Sequence, residues 1–221
     1  MKPAPPKVVF VVDDDELVRR SLQRLFLSAG YKSETYDSAE GYLSRDRCLN
    51  PACLVLDLQM PGLNGFALQD ALNDRGSHEG VVFITGHGDV PACARALKSG
   101  AVDFLMKPFG DNELLAAVDQ ALVRSAGALQ VTNERQMAED RLSALTPREV
   151  DVLRYVIAGL MNKEIAAELG TSEKTVKVHR GRVMEKLHFN SVAELVRFCG
   201  VAGIEPLQPQ DGTKVPYSFG A

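Results

Sequence analysis

Three carboxylates, a hydroxyl and an amine stand where apolar runs of this chain end. Asp57 closes the run Cys53-Leu54-Val55-Leu56 and is soon followed by Pro61-Gly62. Asp13 and Asp14 close Val8-Val9-Phe10-Val11-Val12, Thr85 closes Val81-Val82-Phe83-Ile84, and Lys107 follows Phe104-Leu105-Met106 just before Pro108. Short apolar runs bounded by turn residues read as buried strands. Open α/β sheets hold ligands at the carboxyl ends of such strands. Gathered there, these side chains suit a divalent cation and a phosphoryl group. Asp13, Asp14 and Asp57 offer the hard oxygens that Mg²⁺ takes, or Mn²⁺ in its place, with waters completing the shell. Asp57 is the candidate nucleophile, because a carboxylate can attack phosphorus and form an acyl phosphate. Lys107 brings a compact charge for phosphoryl oxygens, and Thr85 brings one hydrogen-bond donor. Each residue alone has a plainer reading: an Asp after a strand is commonly a turn or helix cap, as Asp15 is expected to be.

The elements that must bring these ends together follow from periodicity. Residues 15–29 are predicted helical, with Leu17, Val18, Leu22, Leu25 and Phe26 on one side, Arg19, Arg20 and Arg24 on the other, and Gly30 as the stop. Residues 31–36 read as a short strand, and Ser38 as the cap of a helix to about Arg47. A loop with Pro61, Gly62, Asn64 and Gly65 leads to a helix over 66–75. Gly86-His87-Gly88-Asp89 reads as a flexible loop, 90–99 as a helix and 102–106 as the last strand. Asp111 or Asn112 is expected to cap a helix that begins at Glu113. Strand and helix alternate five times, which is the pattern of a parallel sheet with helices on both faces.

With these elements in place, four blocks together resemble the receiver domain of bacterial two-component response regulators, in its FixJ-type branch. They are Val12-Asp13-Asp14-Asp15, Leu56-Asp57-Leu58-Gln59-Met60-Pro61-Gly62, Thr85-Gly86-His87-Gly88-Asp89 and Lys107-Pro108-Phe109. The resemblance covers nearly all of residues 7–125. It implies a flavodoxin-like (βα)5 sheet of order 2-1-3-4-5 and adds the backbone carbonyl of Gln59 to the metal ligands. It also implies a switch, in which the Thr85 hydroxyl moves toward the phosphoryl group and Phe104 turns inward. Many relatives carry Tyr at the Phe104 position, so the outward state here lacks a hydroxyl anchor.

Composition bounds the partners. The chain has 221 residues, 45% of them apolar and 24% charged, which allows one or two globular domains. No apolar run approaches the ~20 residues that span a bilayer. The Pro-rich start Met1-Lys2-Pro3-Ala4-Pro5-Pro6-Lys7 lacks the features of a signal peptide, so a cytoplasmic location without membrane attachment is expected. Cys48, Cys53, Cys93 and Cys199 form no C-x-x-C pair and read as reduced, mostly packed thiols. Residues 1–125 hold 13 Lys and Arg against 17 Asp and Glu, whereas residues 144–205 hold 9 against 8. Placement rather than net charge must therefore indicate any nucleic-acid surface.

Residues 126–143 form a polar, weakly helical linker, either an extension of the preceding helix or a tether. Thr146-Pro147-Arg148-Glu149 then opens a second module with a capping box. Val150, Leu153, Val156 and Ile157 are expected to face its core. Asn162 is expected to cap a short helix through Leu169 with Ile165, Ala166 and Leu169 inward, Gly170 to make the turn, and Ser172 to cap a helix from Glu173 to Leu187. Ser191 and Glu194 read as a further capping box, before a fourth helix to about Cys199. Helix, glycine turn, helix is the helix-turn-helix layout. At 100° per residue Val176, Val183 and Leu187 share a face, while Lys174, Lys177, Val178, Gly181 and Arg182 project elsewhere. Lys163, Thr175 and His179 are candidates for phosphate contacts, and Arg180 lies near the core face.

The segments Leu145-Thr146-Pro147-Arg148-Glu149, Gly159 to Ala166 and Thr175-Val176-Lys177-Val178-His179 resemble the LuxR-type helix-turn-helix over residues 144–204. Relatives outside the FixJ branch usually carry an apolar residue at the Arg180 position. The combined resemblance implies a DNA-binding transcription regulator with four regions: receiver 7–125, linker 126–143, a four-helix all-α reader 144–205, and a tail 206–221 expected to be disordered. Its implied partners are a sensor histidine kinase, double-stranded operator DNA, a second copy when phosphorylated, and RNA polymerase. Its only catalysis would be its own Mg²⁺-dependent phosphorylation and dephosphorylation. Two other readings stay open at this stage. An aspartyl-phosphate phosphohydrolase needs a second acid two positions after the nucleophile, where Gln59 stands. A regulator independent of phosphorylation would use its receiver only as a scaffold.

Overall fold

The computed structural model describes residues 6–86 and 90–207, so the readings of 87–89 as a flexible loop and of 208–221 as a disordered tail fall outside the described residues. The chain forms two compact units, Met1–Gln130 and Val131–Ala221.

In the first unit, strands β1 (Val8–Val12), β2 (Lys32–Tyr36), β3 (Ala52–Asp57), β4 (Gly80–Thr85) and β5 (Asp103–Met106) alternate with α1 (Glu16–Ser28), α2 (Ala39–Leu43), α3 (Gly65–Asp74) and α4 (Val90–Lys98), and α5 (Asp111–Leu142) follows. All pairings are parallel and the order is β2-β1-β3-β4-β5. A sheet covered on both faces needs strands apolar on both sides. Phe10, Val12, Leu54, Leu56 and Phe83 accordingly pack with Tyr42 of α2, Leu68 and Leu72 of α3 and Ala96 of α4. Val9, Val11, Val55, Val82 and Ile84 pack on the other face with Leu22 and Phe26 of α1 and Leu114, Val118 and Leu122 of α5. Register does the rest. Val12 pairs with Leu56, Asp57 with Ile84 and Thr85 with Met106, so Asp13, Asp57, Thr85 and Lys107 emerge at one edge.

Several local expectations are corrected. Leu17 is 76% exposed, and Arg19 folds back so that its Nη1 donates to the Asp13 carbonyl at 2.7 Å. Asp15 caps α1 by accepting from the Leu17 and Val18 amides. Helix α2 ends at Leu43 rather than near Arg47, because the Ser44 hydroxyl donates back to the Glu40 and Gly41 carbonyls and Arg45 turns inward to Glu79 and Tyr42. Helix α5 starts at Asp111, after Gly110, whose carbonyl accepts from Leu114. It continues unbroken to Leu142. Cys53 and Cys199 are buried free thiols, whereas Cys48 and Cys93 are only partly covered.

The second unit adds α6 (Pro147–Ile157), α7 (Asn162–Glu168), α8 (Glu173–Lys186) and α9 (Val192–Val201) to the end of α5. Its core gathers Val152, Leu153, Val156, Ile165, Val176, Val183, Leu187 and Leu195. Thr146 and Glu149 form the expected capping box. Asn162 does not cap α7: it is the first helical residue, and its Oδ1 accepts from Arg180 Nη1 at 3.1 Å. Glu164 meets the orphan Met161 amide instead. At α9, Ser191 caps through Glu194 N, but Glu194 Oε2 accepts from Asn190 rather than from Ser191.

Candidate functional site

The sheet edge gathers the expected acids. One carboxylate oxygen from each of Asp13, Asp14 and Asp57 lies within 4.8 Å of the others. Asp13 is 1% and Asp57 6% exposed, while Asp14 is open to solvent. Lys107 Nζ donates to Asp13 Oδ2 at 2.7 Å and to Asp57 Oδ1 at 3.3 Å. Lys107 N donates to the Thr85 carbonyl at 2.8 Å, which fixes the chain that carries the ammonium beside the end of β4. Thr85 itself is fully buried. Gln59 follows Asp57 by two residues in the loop after β3, its side chain exposed. Three convergent carboxylates with one lysine make an oxygen-only cradle whose donor set fits a small hard dication such as Mg²⁺.

Electrostatics distinguish Asp57 from an ordinary surface acid. Burial raises its pKa; the Lys107 ammonium pulls it down, and the Asp13 and Asp14 charges push it back up, with a net rise. For Lys107, burial acts downward, but the hydrogen bond and charge of Asp13, aided by Asp57, outweigh it and hold the ammonium above its usual range. A carboxylate whose folded pKa exceeds its unfolded value binds protons more tightly when folded. Charged Asp57 therefore costs stability at neutral pH, and the cost disappears as pH falls through its folded pKa. Without metal, Asp57→Asn is expected to melt above the parent at pH 7, with the gap closing as the pH falls through the raised folded pKa of Asp57. Saturating Mg²⁺ is expected to raise the parent more than the variant. Differential scanning calorimetry of the first unit's transition with and without EDTA checks both signs.

Phe104 is half-buried on β5, 6.3 Å from Phe83 between ring centroids and tilted by 42°. Sequence reasoning missed two residues that shape this edge. Arg19 holds the Asp13 backbone and was placed among solvent-facing arginines by periodicity. Gly65 starts α3 so close to β3 that an added Cβ would lie 2.5 Å from the Asp57 carbonyl. The glycine itself was the only signal, and it read as a loop residue.

In the second unit, α8 presents Lys174, Thr175, Lys177, Gly181 and Arg182 to solvent, and Lys163 of α7 is also exposed. Val178 is 47% exposed on the same helix. His179 is half-buried, and its Nδ1 is buried without a hydrogen-bond partner among the described residues. Thr175 Oγ1 shares a 2.9 Å hydrogen bond with Ser172 Oγ at the helix start. The other end of α8 is tied down. Lys186 Nζ donates to Glu149 Oε2 at 2.7 Å and to the Ala144 carbonyl at 3.1 Å, and Arg141 donates to the Leu187 carbonyl. The Arg141 guanidinium sits over Phe189 and Phe198, 4.7 and 4.8 Å from their centroids. The Lys186 hydrogen bond, joined by the Thr146 amide, lowers the Glu149 pKa to about 2. An exposed basic face on a helix anchored at its far end can meet a phosphate backbone without rearranging.

Family comparison matches the response regulator receiver domain at residues 9–119 and the LuxR family of bacterial regulatory proteins at 143–199. The chain is 45% identical over 197 residues to nodulation protein W of Bradyrhizobium diazoefficiens, covering 89% of this chain and 87% of that one. It is 43% identical over 198 residues to the transcriptional regulatory protein FixJ of Azorhizobium caulinodans, covering 90% and 94%. Among solved structures, response regulator StyR superposes with a TM-score of 0.76 at 46% identity, covering 88% of this chain and 98% of that one. Full-length FixJ from B. japonicum gives 0.51 at 39%, covering 89% and 97%.

Proposed function

The chain belongs to the FixJ-type response regulators, DNA-binding transcription regulators of two-component systems, and from that premise we propose that Asp57 accepts the phosphoryl group and α8 reads the operator. The observation that carries the first half is the seat of Lys107 on both Asp13 and Asp57 inside a three-carboxylate cradle. An Asp57 oxygen attacks the phosphorus of a phosphohistidine on the sensor kinase. The new O–P bond forms as the P–N bond breaks, and the imidazole takes up a proton. Lys107 follows the transferred group as an ammonium partner, and Thr85 donates its hydroxyl to the remaining oxygen. Asp13, Asp14, Asp57 and the Gln59 carbonyl would hold Mg²⁺ or Mn²⁺, which when bound neutralises charge on the incoming group. The same residues support self-phosphorylation from small acyl phosphates, and slow hydrolysis in which a water oxygen attacks the phosphorus, the Asp57 O–P bond breaks and inorganic phosphate leaves.

Movement of Thr85 toward the phosphoryl group lets Phe104 turn inward and alters the surface of α4 and β5, which then favours a homodimer. Two readers so paired suit a roughly palindromic operator, and an activating output would pass through RNA polymerase. A regulator that acts on bacterial DNA would do so in the cytoplasm. No helix among the described residues is long and apolar enough to cross a membrane.

On α8, Lys174, Lys177, Val178, Gly181 and Arg182 are the proposed groove contacts, and Lys163, Thr175 and His179 the proposed phosphate contacts. Val178 offers an apolar contact for a thymine methyl. A Cβ added at Gly181 would meet open space, so the fold itself does not require glycine there and the gap is free for DNA. Affinity for a duplex selected from a random pool should fall steeply with salt, log Kd rising by roughly 0.9 per log unit of salt for each phosphate contact. Lys163→Ala should lower that slope by about one contact. Treatment with acetyl phosphate should tighten binding. A mobility-shift series across salt, with and without acetyl phosphate, checks both. A flat salt response overturns the DNA surface, and equal affinity in the two states overturns the switch.

A further inference from the structure

A cavity of about 230 Å³ opens in the first unit between the ends of α2 and α3, lined by Tyr42, Leu43, Arg45, Arg47, Leu72, Arg75, Ser77 and Glu79. Glu79 immediately precedes β4, so this cavity lies at the amino edge of the sheet. The acidic cradle lies at the other edge, a strand's length or roughly 15–20 Å away.

Three arginines line one small space in a half-chain that carries more acids than bases. Their roles differ. Arg45 is built in: its side chain is 13% exposed, it donates to Glu79 Oε1 and to the Tyr42 hydroxyl, and it lies 4.2 Å from the Phe10 ring centroid. Glu79 takes up its charge. Arg47 and Arg75 are exposed, and among the described residues neither has an acidic partner within salt-bridge distance. Each bridges to the other's helix end. Arg47 Nη2 donates to the Gly76 carbonyl at 2.9 Å, and Arg75 Nη1 to the Leu43 carbonyl at 3.1 Å. One such bond uses one of the five N–H groups of a guanidinium, so most donors on both heads remain available. Ser77 lines the same cavity.

We propose that this cavity is a second anion site, which takes a phosphate group, free or as a small monoester, between Arg47, Arg75 and Ser77. Two guanidinium groups and a serine lining one small space suit a tetrahedral oxyanion better than a planar carboxylate, which one guanidinium fork already matches. At roughly 30 Å³ per water the space equals about eight waters, enough for phosphate with a short organic group and less than a drug-sized ligand needs. Leu43 and Leu72 line the same space and offer apolar surface to that group.

The test is a titration of the ¹⁵N-labelled full chain with sodium phosphate in EDTA, with sodium chloride at matched ionic strength as control. Without metal the acidic cradle repels phosphate, and shifts in α8 are read at separate residues. Saturating shifts are expected at the Ser44, Gly76 and Ser77 amides with phosphate and not with chloride. Glycerol 3-phosphate binding more tightly than phosphate assigns the ligand as an ester, and equal affinity assigns it as phosphate alone. The double variant Arg47→Gln, Arg75→Gln is expected to weaken binding at least tenfold. Ser77→Ala, which leaves both helix-end bonds in place, should weaken it severalfold. Equal, unsaturated shifts in chloride overturn the proposal, as does parent affinity in the double variant or, should that variant unfold, in Ser77→Ala.

Discussion

An Asp57→Asn variant is expected to take up no acid-labile phosphate from acetyl phosphate and Mg²⁺, and its DNA affinity is expected to ignore that treatment. The amide keeps the shape of the carboxylate but supplies no anionic oxygen to attack phosphorus. Asp13 and Asp14 cannot substitute. Asp13 already accepts from Lys107 and from the Asp15 amide, and Asp14, though close by, is open to solvent and has no lysine partner among the described residues. The loss should be to background rather than partial. Lys107→Ala should be graded instead: removing one preorganised positive donor from such a site slows transfer by roughly a hundredfold while leaving the nucleophile in place. An acid-labile phosphate gel over a time course measures both. Undiminished signal in Asp57→Asn would place the acceptor elsewhere and end the present assignment.

The strand ends were legible in the sequence because a parallel sheet buried on both faces leaves a plain record. Four apolar runs each stop at a polar residue, and the polar residues have the chemistry of one site. Asp57, Asp13, Thr85 and Lys107 therefore came together by register alone, once the strands paired as parallel neighbours with Val12 beside Leu56 and Thr85 beside Met106. Helix periodicity recorded the core of α8 equally well, since Val176, Val183 and Leu187 are all buried. What the sequence hid were choices made by tertiary partners. Arg19 reads as a solvent-facing base, yet it bonds to the Asp13 carbonyl. Asn162 reads as a cap, yet Arg180 claims its oxygen, which explains how a charged residue is accommodated near the core face. Arg45 reads as helical, yet a buried carboxylate from a distant strand end draws it inward and stops α2 early. No local pattern encodes a partner that lies 18 or 34 residues away.

Gly65→Ala is expected to damage both stability and the site, although the helix propensity of alanine favours it by about 1 kcal/mol. Gly65 is buried as the first residue of α3, and its amide donates to the Leu58 carbonyl at 3.1 Å. A Cβ there would meet the Asp57 carbonyl at 2.5 Å, Phe83 Cε1 at 2.9 Å and Leu58 Cα at 3.0 Å. Two of these three are backbone atoms of β3 and its exit, so no side-chain rotation relieves the contact. Overpacking of this kind costs roughly 1–3 kcal/mol, and the upper end applies where the backbone must move. The first unit's melting transition should fall by roughly 5–10 °C. The strand end must shift to admit the methyl group, and Asp57 rides on it, so Mg²⁺ affinity should drop as well. Gly181→Ala is the matched control, because nothing lies within 4 Å of its added Cβ. That variant should gain up to about 1 kcal/mol in the second unit and lose DNA affinity, whereas Gly65→Ala loses stability and metal affinity together. Calorimetry with Mg²⁺ titration separates the two: a Gly65→Ala protein that melts with the parent and binds the ion equally well would mean that the close approach of α3 does not set the position of Asp57.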